Sequence, residues 1–315
     1  MIERFVERTD FKSYEDFVGN FRIKTPPGFN FSFDVVDEWA RLEPDRLAMV
    51  WCDDAGAEQR FTFADMKRYS DKTAQFLAAL GIRKGDPVML ILKRRYEFWF
   101  AALALHKIGA ACIPATHLLT ARDIVYRNKA AGVKMIIAVN DPEVLERIDQ
   151  ARQNSPSLQQ TPVIGGDRPG WHNFTRGVEQ ASADFSRPTG AAATANDDIF
   201  LLYFTSGTTG MAKMVRHNFD YPLGHIITAR YWQNVQDGGL HLTIADTGWA
   251  KAVWGKLYGQ WLCGAAVFTY DFDKFVPKNI LEKMAQYGVT TFCAPPTIFR
   301  YLIKEDLSCY DLSAL

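Results

Sequence analysis

The sequence predicts an α/β protein with mostly parallel sheets, arranged as two βαβ-type subdomains. Two observations carry that expectation. From about residue 61, helix-period stretches alternate with short, continuously apolar runs joined by brief Gly- or Pro-marked connections, the pattern of βαβ units. The apolar runs do not alternate with polar residues, as expected of strands buried on both faces.

In chain order, FTFADMKRYSDKTAQFLAALG reads as an amphipathic helix with Gly81 at its C-terminal end, and PVMLIL as a buried strand. YEFWFAALALHKIG is a second helix ending at Gly109, and AACIPA a strand. Thr120 and Asp123 suit the start of a helix over TARDIVYRNKAAG, KMIIAV is the next strand, and Asp141-Pro142 opens a further helix. Residues 154–197 contain NSPS, GGDRPG, SRPTG and AAATAND, loop compositions interrupted by TPVIG. They set a subdomain division near 190, giving units 1–190 and 191–315. The alternation then resumes with IFLLYF, a helix around 220–235, HLTIA, a helix around 250–262, AAVFTY, KNILEKMAQYG and TTFCA. The aromatic-rich stretch before residue 60 yields no assignment.

Composition narrows the function classes. Of 315 residues, 48% are hydrophobic and 23% charged, which supports a sizeable core. Lys plus Arg equals Asp plus Glu at 36 each, so no overall field calls for a nucleic-acid partner. Cysteines 52, 112, 263, 293 and 309 form no CxxC pair, and no His cluster has metal-ligand spacing, which points to reduced thiols and no structural metal. MIERFVERTD has no apolar signal core, and FWFAALAL is closed by His106 and Lys107, too short for a membrane span. The expectation is a cytoplasmic protein. The six histidines show no pairing with Ser or Cys that suggests a hydrolytic triad.

The informative stretch is YFTSGTTGMAK at 203–213. A loop leaving a buried strand lies at the carboxyl edge of the sheet, where open α/β folds bind ligands. Gly207 and Gly210 allow close backbone approach; Thr205, Ser206, Thr208 and Thr209 supply hydroxyls, and Lys213 a mobile cation. Together these suit an oligophosphate. The glycine spacing and the Met-Ala before Lys213 exclude a Walker A loop. On composition alone an ordinary polar turn competes evenly.

The full string T-S-G-T-T-G-x-x-K resembles the phosphate-binding loop of the adenylate-forming superfamily, with Ala212 where Pro is usual. ADTGW at 245–249 with AKAVWGKLYGQWLCGAAVF, and TTFCAPPTIFRYL at 290–302, resemble acetyl-CoA and medium-chain acyl-CoA synthetases. The resemblance implies the large N-terminal domain of such an enzyme, which uses ATP, Mg2+ and coenzyme A to activate a small-molecule carboxylic acid through an acyl-adenylate. It implies that Thr205 to Gly210 and Lys213 hold the β- and γ-phosphates, with Thr205 and Lys213 taking part in catalysis. It places Asp246, Thr247, Gly248 and Trp249 beside the acyl group. For Trp249 and Trp254 plain core packing competes with an acyl-pocket wall; for Asp246 a helix N-cap before GWAKAVW competes, and is favoured, over pairing with a substrate amine. The run KRRY at 93–96 reads as a solvated helix start, with a contact to the coenzyme's phosphates as the alternative.

A Tyr-Gly-x-Thr-Glu-type motif, a Thr-Gly-Asp motif and the distal lysine of the small C-terminal domain, all expected of the superfamily, are not in the sequence. The expectation is a fragment that stops inside the large domain and is inactive alone. The alternatives are a non-catalytic nucleotide- or acyl-binding short form, and an amino- or aryl-acid adenylation domain.

Overall fold

The computed structural model describes the chain except residues 206–209. Twelve strands lie among the described residues. The first five are β1 (Leu47–Asp53), β2 (Glu58–Thr62), β3 (Pro87–Ile91), β4 (Ala111–Pro114) and β5 (Met135–Val139). Then come β6 (Pro162–Ile164), β7 (His172–Asn173), β8 (Ile199–Thr205) and β9 (Lys213–Asn218). The last three are β10 (Leu240–Thr243), β11 (Ala266–Asp271) and β12 (Thr291–Cys293). They form a seven-stranded sheet in the order β7-β6-β5-β3-β4-β8-β9 and a five-stranded sheet in the order β12-β10-β11-β1-β2. Pairing is parallel except at β8–β9 and β1–β2, each at an edge.

The expected α/β class with mostly parallel sheets is what the chain adopts. The division near residue 190 does not coincide with the division between sheets, because each sheet borrows strands across it. β1 and β2 join the C-terminal strands, and β8 and β9 complete the N-terminal sheet. β1 was not legible because its neighbour, β11, lies more than two hundred residues away in sequence, pairing Met49 with Val267.

Local chemistry explains the helix boundaries. Thr62 and Asp65 form a reciprocal capping box for the helix Phe63–Ala79, and Thr120 and Asp123 do the same for Ala121–Ala131. Asp141 caps Pro142–Arg152 through the amides of Glu143 and Val144. Gly109 ends Glu97–Ile108 at φ 82°, a conformation costly for any residue with a Cβ.

Every residue of Glu97–Ile108 is buried. Its side chains share a core cluster with Met49 and Val267 of one sheet and Val88, Leu90 and Phe200 of the other. A helix apolar on all sides is thus a central core element, and no described helix is long and apolar enough to cross a membrane. Indole N–H groups fasten the layers: Trp261 donates to the Ala48 carbonyl at 2.9 Å, and Trp99 to that of Lys256 at 3.1 Å.

Two expected helices are interrupted. The one around 220–235 is α-helical over Tyr221–Ile226 and continues as a wider π-type turn over Ile227–Trp232. The one around 250–262 splits into Ala250–Gly255 and Tyr258–Leu262. The break falls at Lys256, whose buried Nζ turns back to donate to the Ala245 carbonyl at 2.8 Å.

Candidate functional site

The loops after β3, β4, β10 and β11 meet at the carboxyl edges of the two sheets. Thr247, fully buried, donates its amide to the Lys93 carbonyl at 3.0 Å and its hydroxyl to the same oxygen. A Cβ on Gly248 would stand 2.2 Å from the Thr116 nitrogen, so only glycine lets this loop lie against the backbone after β4. Arg94 donates to the Phe272 carbonyl at 2.9 Å with its guanidinium over the Phe272 ring. The Trp51 indole in turn donates to the Arg94 carbonyl. The 93–96 run is therefore not a solvated helix start. Lys93 pairs with Asp141 at 2.7 Å, and Arg95 reaches Glu97 and Asp271.

Of the residues expected beside the acyl group, Trp249 is 58% exposed and free to wall a ligand site, so core packing does not account for it. Trp254 is half-buried against the exposed Trp232, with ring centroids 5.7 Å apart. Thr247 and Gly248 anchor the loop. Asp246 is not the helix cap: the helix begins at Ala250, and no side chain caps it. Asp246 Oδ1 instead accepts the Gly248 amide at 2.8 Å, closing a turn two residues long. Its Oδ2 lies 3.3 Å from Nδ1 of His117, within ion-pair reach but off the line of a hydrogen bond.

The phosphate-loop residues Ser206, Gly207, Thr208 and Thr209 lie outside the described residues. The loop joins β8 to the antiparallel β9, so Thr205 and Lys213 face each other as a cross-strand pair. Both are exposed. Gly210 has φ 120° with open space where a side chain would be. From the neighbouring helix, Tyr126 donates its hydroxyl to the Ala212 carbonyl at 2.8 Å, holding the loop's second arm. β8 lies parallel beside β4, Cys112 opposite Leu201, so the phosphate loop and the Thr116–His117 segment leave adjacent strands at one edge.

His117 lines an open cavity of about 530 Å³ with Lys93, Asp141, Glu143 and Arg147. Sequence reading missed it; the available signal was its place just past a predicted buried strand at the ligand-binding edge. Among the described residues no three His, Cys, Asp or Glu side chains converge to hold a metal ion.

Two mostly parallel sheets, with the loops after β3, β4, β10 and β11 meeting at their carboxyl edges, define an open α/β protein with the ligand-binding edge of that class. The AMP-binding enzyme family profile matches residues 36–315, and the chain belongs to that family. It is 36% identical over 302 residues to "Acyl-coenzyme A synthetase ACSM5, mitochondrial" of Homo sapiens, covering 93% of this chain and 51% of that protein. It is 32% identical over 314 residues to "Acyl-coenzyme A synthetase ACSM3, mitochondrial" of Homo sapiens, covering 97% of this chain and 53% of the relative. The chain thus spans about half the length of these relatives. In fold it is similar to the anthranilate CoA ligase AuaEII in complex with anthranoyl-AMP. That match has TM-score 0.82 and 23% identity, over 92% of this chain and 54% of the other. It is also similar to acetoacetyl-CoA synthetase from Streptomyces lividans, with TM-score 0.79 and 20% identity, over 91% and 46%.

Proposed function

We propose that this chain forms the nucleotide- and acyl-holding part of an AMP-forming acyl-CoA synthetase for short- or medium-chain carboxylic acids. The overall reaction joins acid, ATP and coenzyme A into acyl-CoA, AMP and pyrophosphate through an acyl-adenylate. The observation that carries the reading is that β8, which ends at Thr205, lies beside β4, whose following segment at Thr116 carries the Asp246–Trp249 loop. The loop after β8 suits a triphosphate, and the Asp246–Trp249 loop borders a site with an exposed indole. The names of the relatives point the same way.

A carboxylate is a poor electrophile, because its leaving group would be oxide. Adenylation supplies a better one, and the protein's part is positioning and charge stabilisation. Thr205, Gly210 and Lys213, with the loop between them, would hold the β- and γ-phosphates and then the departing pyrophosphate. Trp249 would wall the acyl chain.

The test is ATP–pyrophosphate exchange by the complete protein from the continuous reading frame, against straight-chain acids from acetate to dodecanoate and a panel of amino and aryl acids. Exchange confined to the straight-chain acids, with acyl-CoA formed on adding coenzyme A, supports the reading. Exchange only with amino or aryl acids replaces it with an adenylation domain of that kind. The 315-residue chain alone is expected to show little or no turnover.

A further inference from the structure

We infer that His117, oriented by Asp246, is the general base that takes the proton of the coenzyme A thiol in the second half-reaction; this rests on the synthetase reading above. Three observations converge on it. His117 stands five residues beyond Cys112, and Thr205 four beyond its parallel partner Leu201, so imidazole and phosphate loop rise from the same edge of neighbouring strands. Asp246 belongs to the loop whose next residues border the acyl site, and its carboxylate is 7% exposed. Asp246 Oδ2 and His117 Nδ1 are both buried and have no hydrogen-bond partner among the described residues, yet they lie 3.3 Å apart.

The pair lies at 3.3 Å without hydrogen-bond alignment, so Asp246 acts on the ring through its charge: it favours the tautomer with the proton on Nδ1, which leaves Nε2 as the acceptor. Nδ1 is buried while 28% of the His117 side chain is exposed, and the residue lines the 530 Å³ cavity. The segment is fixed from behind, since Arg147 donates to the His117 carbonyl at 3.2 Å.

The other charged groups facing this cavity are already engaged. Lys93 pairs with Asp141, and Arg147 with Glu143. Lys256 approaches Asp246 from the protein side, its Nζ bonded to the Ala245 carbonyl. Of the remaining histidines, His106 and His241 are buried and His225 is half-buried, and burial pushes each well below the ordinary imidazole range.

The chemistry balances. The thiol proton passes from sulfur to Nε2 as sulfur bonds to the acyl carbon. The acyl carbon–oxygen bond to AMP breaks, and AMP leaves with that electron pair on its phosphate oxygen. The imidazolium then returns its proton to solvent. A thiol with a pKa near 8.5 is only a few per cent ionised at neutral pH, so a neutral imidazole at contact distance has a substantial effect on this step.

The experiment uses the complete protein and separates the half-reactions: pyrophosphate exchange, and single-turnover thiolysis of preformed acyl-adenylate by coenzyme A, each across pH. His117→Gln should slow thiolysis about 10²-fold or more near pH 7, the typical size of a general-base contribution. It should leave exchange within about threefold, and the thiolysis defect should shrink as pH rises past the thiol pKa near 8.5 and the thiol ionises unaided. Asp246→Asn, which mispositions the imidazole without removing it, should give a smaller thiolysis defect with the same pH trend. Equal slowing of both half-reactions, a defect independent of pH, or unimpaired thiolysis in His117→Gln would each overturn the assignment while leaving the synthetase reading intact. Absence of exchange in the wild-type protein would overturn both.

Discussion

Thr247 hands both its amide and its hydroxyl to the backbone carbonyl of Lys93, joining the loop after one sheet to the loop after the other. Gly248, next in the chain, lies against Thr116 with no room for a methyl group. Gly248→Ala must therefore separate backbone from backbone and is expected to destabilise the protein by about 1–3 kcal/mol, the usual range for overpacking. Urea unfolding measures this; an unchanged midpoint would mean the two loops are not seated together.

Lys213 faces Thr205 across the mouth of the β8–β9 loop. In the complete protein, Lys213→Ala should weaken ATP use by about 1.5–3 kcal/mol, the worth of a charged hydrogen bond. This corresponds to roughly tenfold or more in the KM for ATP in pyrophosphate exchange. An unchanged KM would remove Lys213 from the phosphate site.

Lys107 is wholly buried, with Nζ 2.8 Å from Asp37 and 2.5 Å from Asp71. Burial raises the Asp37 carboxyl above its usual range, with Lys107 opposing the rise. Lys107→Met leaves the half-buried Asp37 without its cation and the buried Asp71 with Lys67 alone, and should cost about 3–5 kcal/mol. Adding Asp37→Asn should recover part of the loss in the same unfolding assay, whereas a simple packing defect would not respond.

Burial holds His106 at about 3, His241 at about 3 and His225 at about 4, below the ordinary 6.5. The unfolded chain therefore binds more protons than the folded one below 6.5. The histidine contribution is complete above that pH and falls as the medium is acidified toward 4. Each histidine contributes up to about 1.4 kcal/mol per pH unit of slope. Unfolding free energies at several pH values below 6.5 should show the fall, and His106→Phe should make it shallower.

Lys256 gives a slope of the same sign on the alkaline side. Burial lowers its amine from 10.5 to about 7, so between those values the unfolded chain carries the extra proton and stability rises with pH. Lys256→Met should abolish a slope of up to about 1.4 kcal/mol per pH unit between 7 and 10. A wild-type slope that matches the variant's would place the ammonium in contact with solvent.

Much of the fold was legible because its signals are local. Capping boxes at Thr62–Asp65 and Thr120–Asp123, Asp141-Pro142 and Gly109 set boundaries through bonds spanning a few residues. β9 escaped notice because five of its six residues are exposed and its pairing with β8 supplies the order its composition does not. The Trp249 alternatives, core or site, could not be separated from sequence, since an indole suits both; its exposure rules out core packing. The Asp246 cap reading failed because the residue's amide partner, Gly248, precedes the helix rather than lying within it.

By itself the sequence determined the α/β class, the order of helices and strands after residue 61, and the nine-residue loop chemistry between Thr205 and Lys213. These rest on periodicity, caps and a contiguous string of donors. Only the tertiary structure decided which strands share a sheet, that Lys93 anchors Thr247, and that Asp246 meets His117. Those relationships join residues more than a hundred positions apart, and they arise from burial and backbone contact, which leave no mark on neighbouring letters.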